Sequence, residues 1–379
     1  MKKILVLCMT MLLCCAGLAF AADDTIRIGV YEPMTGQNAF GGQLEVEGIK
    51  MANQEVPTVL GKKVEIIVVD NKSDKVEAAN AVTRLIDREK VNAIIGTYAS
   101  SLAMAGGEVA EKAGIPMVAT SATNPLVTQG KKNLFRVCFI DPLQGAAAAT
   151  YAIKTLGFKN AAVLTDMASD YAVGLSTFFK KSFEKLGGTI VAEGKYQSGD
   201  TDFTAQLTAI NAKKPDILFI PAYFAEGAII IKQAREMGAT FKIMGGDAMN
   251  NPQMVKIGGQ SVEGFVQTSF PYDPNMPNMN SVAKKFTDGW RATHKADDEP
   301  NMNAALGYDA YMLIIDAIKR ANSADPAAIS KALAETKGFM GATGVTTLDE
   351  NHNAQKPVGL IEIKGQKEVY IGEVVPEGM

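Results

Sequence analysis

Along most of this chain, short apolar runs alternate with longer stretches of helical periodicity. Ile26–Val30, Val64–Asp70, Ala93–Ile95, Pro116–Ala119, Ala161–Thr165, Ile190–Glu193, Ile217–Ile220, Lys242–Met244 and Glu263–Gln267 read as strands. Between them, at about 43–56, 75–89, 102–113, 142–156, 170–187, 203–212 and 225–237, the pattern is helical. Strands separated by helices form βαβ units, and such units build parallel sheets. The punctuation agrees. Gly187-Gly188 and Gly238 follow helical stretches, where a left-handed cap is needed, and Ser73 or Asp74 can cap the helix that follows.

The βα runs at 26–120 and 158–247 are loosely symmetric. The rhythm breaks after residue 271, where Pro271, Pro274 and Pro277 alternate with Asn in a loop. Helices are predicted beyond it at about 278–294, 302–321 and 326–335. The chain then closes with Pro357–Ile363 and Glu368–Val374 around a Gly-containing turn, a hairpin pattern.

The N-terminus stands apart. Lys2 and Lys3 precede an apolar stretch, Ile4 to Phe20, and Ala19-Phe20-Ala21 supplies a small-x-small cleavage pattern. That order predicts a secretory signal peptide cut after about Ala21, and a mature protein in the periplasm. The run is short for a membrane span. A lipid-anchored form needs a small residue before its cysteine, whereas Leu13 precedes Cys14 and Cys14 precedes Cys15. Three of four cysteines leave with the leader, so Cys138 has no internal disulfide partner. Its apolar neighbours, Leu134 to Ile140, predict a buried inert thiol. A chain of 379 residues, less this leader, exceeds one core and implies two domains. Its formal charge of −3, more acidic once Lys2 and Lys3 are lost, argues against nucleic acid as a partner.

Catalytic signatures are missing. His294 and His352 are the two histidines, and neither has a nucleophile in its sequence context. There is no Gly-x-Ser-x-Gly elbow, phosphate loop or Gly-x-Gly-x-x-Gly fingerprint, and no His/Cys metal cluster. The expectation is a non-enzyme without cofactor or metal.

The strand ends carry more information, because open parallel sheets bind ligands beyond the C-terminal ends of their strands. Gly96-Thr97-Tyr98-Ala99-Ser100-Ser101 follows one strand, and Thr120-Ser121-Ala122-Thr123-Asn124-Pro125 follows the next. Free amides at a helix start, with hydroxyls beside them, suit a carboxylate. Each of Ser100, Ser101, Ser121 and Thr123 also fits an ordinary cap or turn. Asp247, after Gly245-Gly246, suits an ammonium group. It fits equally an N-cap for a helix near 250–257.

In order, Gly29-Val30-Tyr31-Glu32-Pro33-Met34-Thr35-Gly36, Ile95–Ser101, Pro116–Pro125, Asp166–Gly174, Gln233–Gly238 and Met244–Asp247 resemble the periplasmic binding proteins for leucine, isoleucine and valine. The resemblance spans essentially the whole mature chain. It implies an α/β type I periplasmic-binding-protein fold: two lobes, each a mostly parallel sheet flanked by helices, joined by three crossing strands. With the break at 271 and the terminal hairpin, the expected lobes are 26–141 with 272–345, and 142–271 with 346–379.

By the same resemblance, Ser100 and Thr123 bind an α-carboxylate, and the Ser121 carbonyl and Asp247 bind an α-ammonium. Tyr171 and Tyr223 close over the ligand from the second lobe, and Phe40 lines the side-chain pocket. Tyr98, Ser101 and Ala122 complete the expected ligand-binding set. Where some relatives carry Glu, this chain has Asp247, and Ser121 stands where Ala is common. The positions of a disulfide found in some relatives are Ser73 and Ala99 here. The implied function is capture of a small, aliphatic or otherwise apolar amino acid by a monomer that delivers it to the permease of an ABC transporter. A ligand-sensing clamp that signals to a receptor or regulator is the second reading.

Overall fold

The computed structural model describes residues 25–295 and 298–378; the leader expected at 1–21 lies outside them. A first sheet is built from β1 (Thr25–Glu32), β2 (Thr58–Val59), β3 (Lys62–Asp70), β4 (Ala93–Ile95), β5 (Met117–Ala119) and β6 (Leu134–Arg136). Their order is β2-β3-β1-β4-β5-β6, parallel except for the β2–β3 hairpin. Between them run α1 (Ala39–Glu55), α2 (Lys75–Asp87) and α3 (Ser100–Ala113).

After α4 (Asp141–Thr150), the second sheet takes β7 (Asn160–Asp166), β8 (Thr189–Tyr196), β9 (Ile217–Ile220), β10 (Lys242–Gly245) and β11 (Val266–Ser269). Its helices are α5 (Asp170–Lys185), α6 (Thr204–Ala212), α7 (Phe224–Glu236) and the short α8 (Gln253–Gly258). The chain then returns as α9 (Ser281–Thr293), α10 (Met302–Ala321), α11 (Pro326–Ala334) and a small hairpin, β12 (Phe339–Gly341) with β13 (Gly344–Thr346). Finally β14 (Val358–Lys364) and β15 (Lys367–Val374) add antiparallel strands to the second sheet, whose order is β15-β14-β11-β10-β9-β7-β8. These are the two mostly parallel, helix-flanked sheets the pattern predicted.

Local chemistry explains the helix starts. Asp74 caps α2, accepting from Val76 N at 2.8 Å and Glu77 N at 3.0 Å. Asn280, Asn301 and Asp325 cap α9, α10 and α11 in the same way. The short strands β2, β6, β12 and β13 lack a legible period because they have two or three residues each. Cys138 is buried and free, and burial pushes its thiol up to about 12, which leaves it inert.

Close backbone contact fixes the position of α1, which carries part of the cleft. It lies against α10 so closely that a Cβ on Gly48 would stand 1.8 Å from the Ala304 carbonyl oxygen, and one on Gly307 2.2 Å from that of Glu45. Backbone cannot retreat as a side chain can. Gly48→Ala is therefore expected to cost about 3 kcal/mol or more by overpacking, read as a lower urea midpoint with an unchanged slope.

Candidate functional site

In both sheets the strand order reverses beside a parallel strand: β1 lies between β3 and β4, and β7 between β8 and β9. The loops leaving β4 and β5 meet the starts of α5 and α7 and the turn after β10. Contacts between them close the gap. Tyr98 donates its hydroxyl to the Ala248 carbonyl at 3.2 Å. The Tyr98 and Tyr171 rings each lie 5.6 Å from that of Tyr223, both tilted, and Phe40 meets Phe224 edge-on at 6.2 Å. Asp170 Oδ2 receives Lys75 Nζ at 2.9 Å and Ser101 Oγ at 2.7 Å, while Asn124 Nδ2 donates to the Asp170 carbonyl at 2.9 Å.

Of the residues expected together, Tyr98, Tyr171, Tyr223 and Asp247 are linked by direct contacts, Ser100 is bonded to the loop that carries Ser121, Ala122 and Thr123, and Phe40 meets Phe224. Ser101 sits at the edge of the gap, and its hydroxyl is engaged entirely by Asp170: besides donating to the carboxylate it accepts from Asp170 N at 3.1 Å.

None of the hydroxyls is a helix cap. The residue before α3 is Ala99, at φ +84°, and no side chain caps that helix. Ser100 Oγ accepts from Asn124 N at 3.1 Å, which couples the two loops and leaves the hydroxyl proton free. Thr123 Oγ1 is fully buried and makes no well-aligned hydrogen bond, although the Asp141 carboxyl lies beside it. Ser121 Oγ donates to Glu45 Oε1 at 2.5 Å. Asp247 caps no helix either, since Gln253 N is taken by Asn251.

Asp247 is instead held from two sides. Tyr171 donates to its Oδ1 at 2.9 Å, and its own N–H donates to Gln144 Oε1 at 2.8 Å. Gly246 makes this possible, because a Cβ there would meet the Tyr171 hydroxyl at 2.1 Å. Burial pushes the Asp247 carboxyl up to about 6, against the opposing bonds from Tyr171 and Gln144. It is therefore anionic at neutral pH, at a cost that a cation would relieve.

Several members of the site escaped sequence reading. Gln144, on α4, also accepts from Thr268 at 2.5 Å and donates to Asp141 Oδ1 at 3.3 Å. Asp141 is pushed up to about 8 by burial, opposed by the neighbouring Thr123 hydroxyl. Arg136, fully buried, donates to the carbonyls of Ala122 at 2.7 Å and Asn124 at 2.9 Å, which fixes the Thr123 loop from behind. Glu45 receives Ser121 and also Thr120, at 2.5 Å. One signal was available for Glu45: it shares a helix face with Gly41, Gly48, Ile49 and Ala52, where a charge is out of place.

Comparison with known proteins agrees with this architecture. The periplasmic binding protein family model matches residues 25–368. A leucine-binding protein from Thermotoga maritima is 44% identical, with a TM-score of 0.90, over 93% of this chain and 100% of that one. A branched-chain amino-acid transporter substrate-binding protein from Streptococcus pneumoniae, solved with isoleucine, is 34% identical, with a TM-score of 0.86 over 93% and 100%. A Leu/Ile/Val-binding protein homologue from Brucella melitensis is 29% identical over 90% of this chain and 92% of its own length.

The strain on Asp247 gives a test that needs no ligand. An acid whose folded pKa exceeds its unfolded value near 3.9 supports stability in acid and loses that support as pH rises through about 6. To the extent that the ligand-free protein holds the closed arrangement described here, Asp247→Asn should thus be more stable than the parent at pH 7.5, by up to about 2 kcal/mol, and the gap should vanish below pH 4. Denaturant unfolding at both pH values reads this difference.

Proposed function

The chain belongs to the periplasmic binding protein family, and from that premise we propose that it captures a small apolar amino acid, of the leucine, isoleucine and valine class, between its two halves. The observation that carries this reading is the pairing of unspent donors with an unneutralised carboxylate across one closed cleft. Ser100, with its free hydroxyl proton, and Thr123, with its unpartnered oxygen, face the first sheet's side of the cleft. They bind the α-carboxylate together with amides at the start of α3. Asp247 and the Ser121 carbonyl receive the α-ammonium. Tyr98, Tyr171 and Tyr223 wall the cleft, and Phe40 with Phe224 supplies an apolar surface for the side chain. Ala122 contributes backbone at the same loop. Ser101 acts with Asp170, Lys75 and Asn124 as a clasp that holds the halves together.

The moving units in this reading are lobes of about 26–141 with 272–345, and 142–271 with the C-terminal strands. Bonds from His352 and Asn353 to Leu134, Arg136 and Thr128 support a third crossing nearer residue 354 than the expected 346. Ligand contacts to both lobes favour the closed state, which is a population shift rather than chemistry on the ligand. The protein works outside the cytoplasmic membrane as a monomer and hands its ligand to an ABC transporter permease. Among the described residues no helix is long and apolar enough to cross a membrane.

Two measurements test the reading. Leucine, isoleucine or valine at a hundred times its Kd should stabilise the protein by about 2.7 kcal/mol. A flat thermal-shift panel across the amino acids would sink the proposal. Ser100→Ala and Thr123→Val should each weaken the best ligand by about 1.5–3 kcal/mol in titration calorimetry. Asp247→Asn should weaken it at least about a hundredfold. Wild-type affinity in these variants would place the ligand elsewhere.

A further inference from the structure

Beneath the two ligand loops lie two glutamates that take no part in gripping the amino acid. Glu32 ends β1, and Glu45 projects from α1; both are fully buried. Each holds one loop. Glu32 Oε2 accepts from Thr97 Oγ1 at 2.9 Å and from Tyr98 N at 2.7 Å, in the loop that leads to Ser100. Glu45 takes Thr120 and Ser121, one on each oxygen, in the loop that leads to Thr123.

The two carboxyls lie close enough for each to act on the other's ionisation. Glu32 Oε1 is buried and has no hydrogen-bond partner, and a proton shared with the Glu45 carboxyl would satisfy it. Two facing acceptors are satisfied only if one carries a proton. Both Glu45 oxygens already receive hydroxyls, which is the pattern of a carboxylate above its own pKa, which burial pushes up to about 7. The proton therefore belongs on Glu32 Oε1, donated to Glu45.

We propose that Glu32 and Glu45 form a carboxylic acid–carboxylate bridge, with the proton on Glu32, that sets the spacing between the Ser100 and Thr123 loops and so positions both for the ligand. The bridge rests on the amino-acid reading for what the loops grip, but not for its own existence. The surroundings keep the proton in place. Burial and the Glu45 charge hold Glu32 far above the usual carboxylate range. The other titratable groups acting on the pair are Tyr98, Tyr31 and, across the cleft, Asp247, all anionic when ionised. Neither carboxyl has an ion pair with a cation among the described residues.

A bridge with this polarity responds asymmetrically to amide substitution. Glu32→Gln replaces the acid O–H with an N–H donor and keeps an oxygen for Thr97 and Tyr98. Glu45→Gln puts an NH2 where a hydroxyl must donate, so one of Thr120 and Ser121 loses its acceptor. Linkage gives the sign of the pH effect. The unfolded chain releases the Glu32 proton near pH 4.3 and the folded one holds it, so wild-type stability falls as pH rises. Glu32→Gln has no such proton.

Thermal unfolding of the ligand-free wild type and Glu32→Gln from pH 5 to pH 9 decides on the bridge without any ligand. The variant should gain on the wild type steadily as pH rises; a constant offset, or a variant that loses ground, overturns the bridge. Leucine titration at pH 7.5 then decides on positioning. Glu32→Gln should stay within about threefold of wild type, whereas Glu45→Gln should weaken leucine about tenfold, one charge-assisted hydrogen bond's worth. Equal affinities in the two variants overturn it. Thr120→Val, which removes one Glu45 donor away from the ligand, should weaken leucine in the same direction and serves where Glu45→Gln does not fold. A wild type that binds no amino acid counts against the ligand reading alone, and the melting series still judges the bridge.

Discussion

A carboxyl group sealed between the ends of two sheets must be hydrogen-bonded, paired or protonated, and this site seals four. Glu32, Glu45, Asp141 and Asp247 are all nearly or fully buried, and the buried cation Arg136 bonds the loop between them. Desolvation penalises each charge by several kcal/mol unless neighbours offset it. The surrounding residue types answer that demand. Thr97, Thr120, Ser121, Tyr171 and Gln144 each spend a polar group on one of the four. Among what these residues leave unspent are the Ser100 proton, the Thr123 oxygen and the charge of Asp247, the groups to which the proposed function assigns the ligand.

The same accounting explains why the cleft closes as it does. Ser101, Lys75 and Asn124 converge on Asp170 at the start of α5, and Tyr98 reaches the Ala248 carbonyl. The Lys75–Asp170 pair is half exposed, which makes it worth little by itself. Its value is geometric. It joins the rim where the aromatic rings meet, so in the proposed function the ligand rather than the rim supplies the difference between open and closed. Rigid backing serves the same end: α1 is set against α10 at glycine distance, and Arg136 pins the carbonyls of the Thr123 loop.

The fold class, the helices and the longer strands were legible in the chain because periodicity and caps are local properties. Asp74, Gly187 and Gly238 mark helix ends whatever the tertiary structure. Ser100, Thr123 and Asp247 could be singled out for a topological reason: hydroxyls and acids after short apolar strands lie at the C-terminal edge of a parallel sheet, where open sheets bind ligands. Several roles were not decided there. Whether Ser101 meets ligand or clasp depends on Asp170, 69 residues away. Glu45 meets Thr120 across 75 residues, and Gln144 meets Asp247 across 103. A hydrogen bond between groups so distant in the chain has no period and no spacing rule. It exists only once helices and strands have packed and excluded water, so the tertiary structure alone decided which polar groups were consumed in holding these loops together and which stayed unpaired.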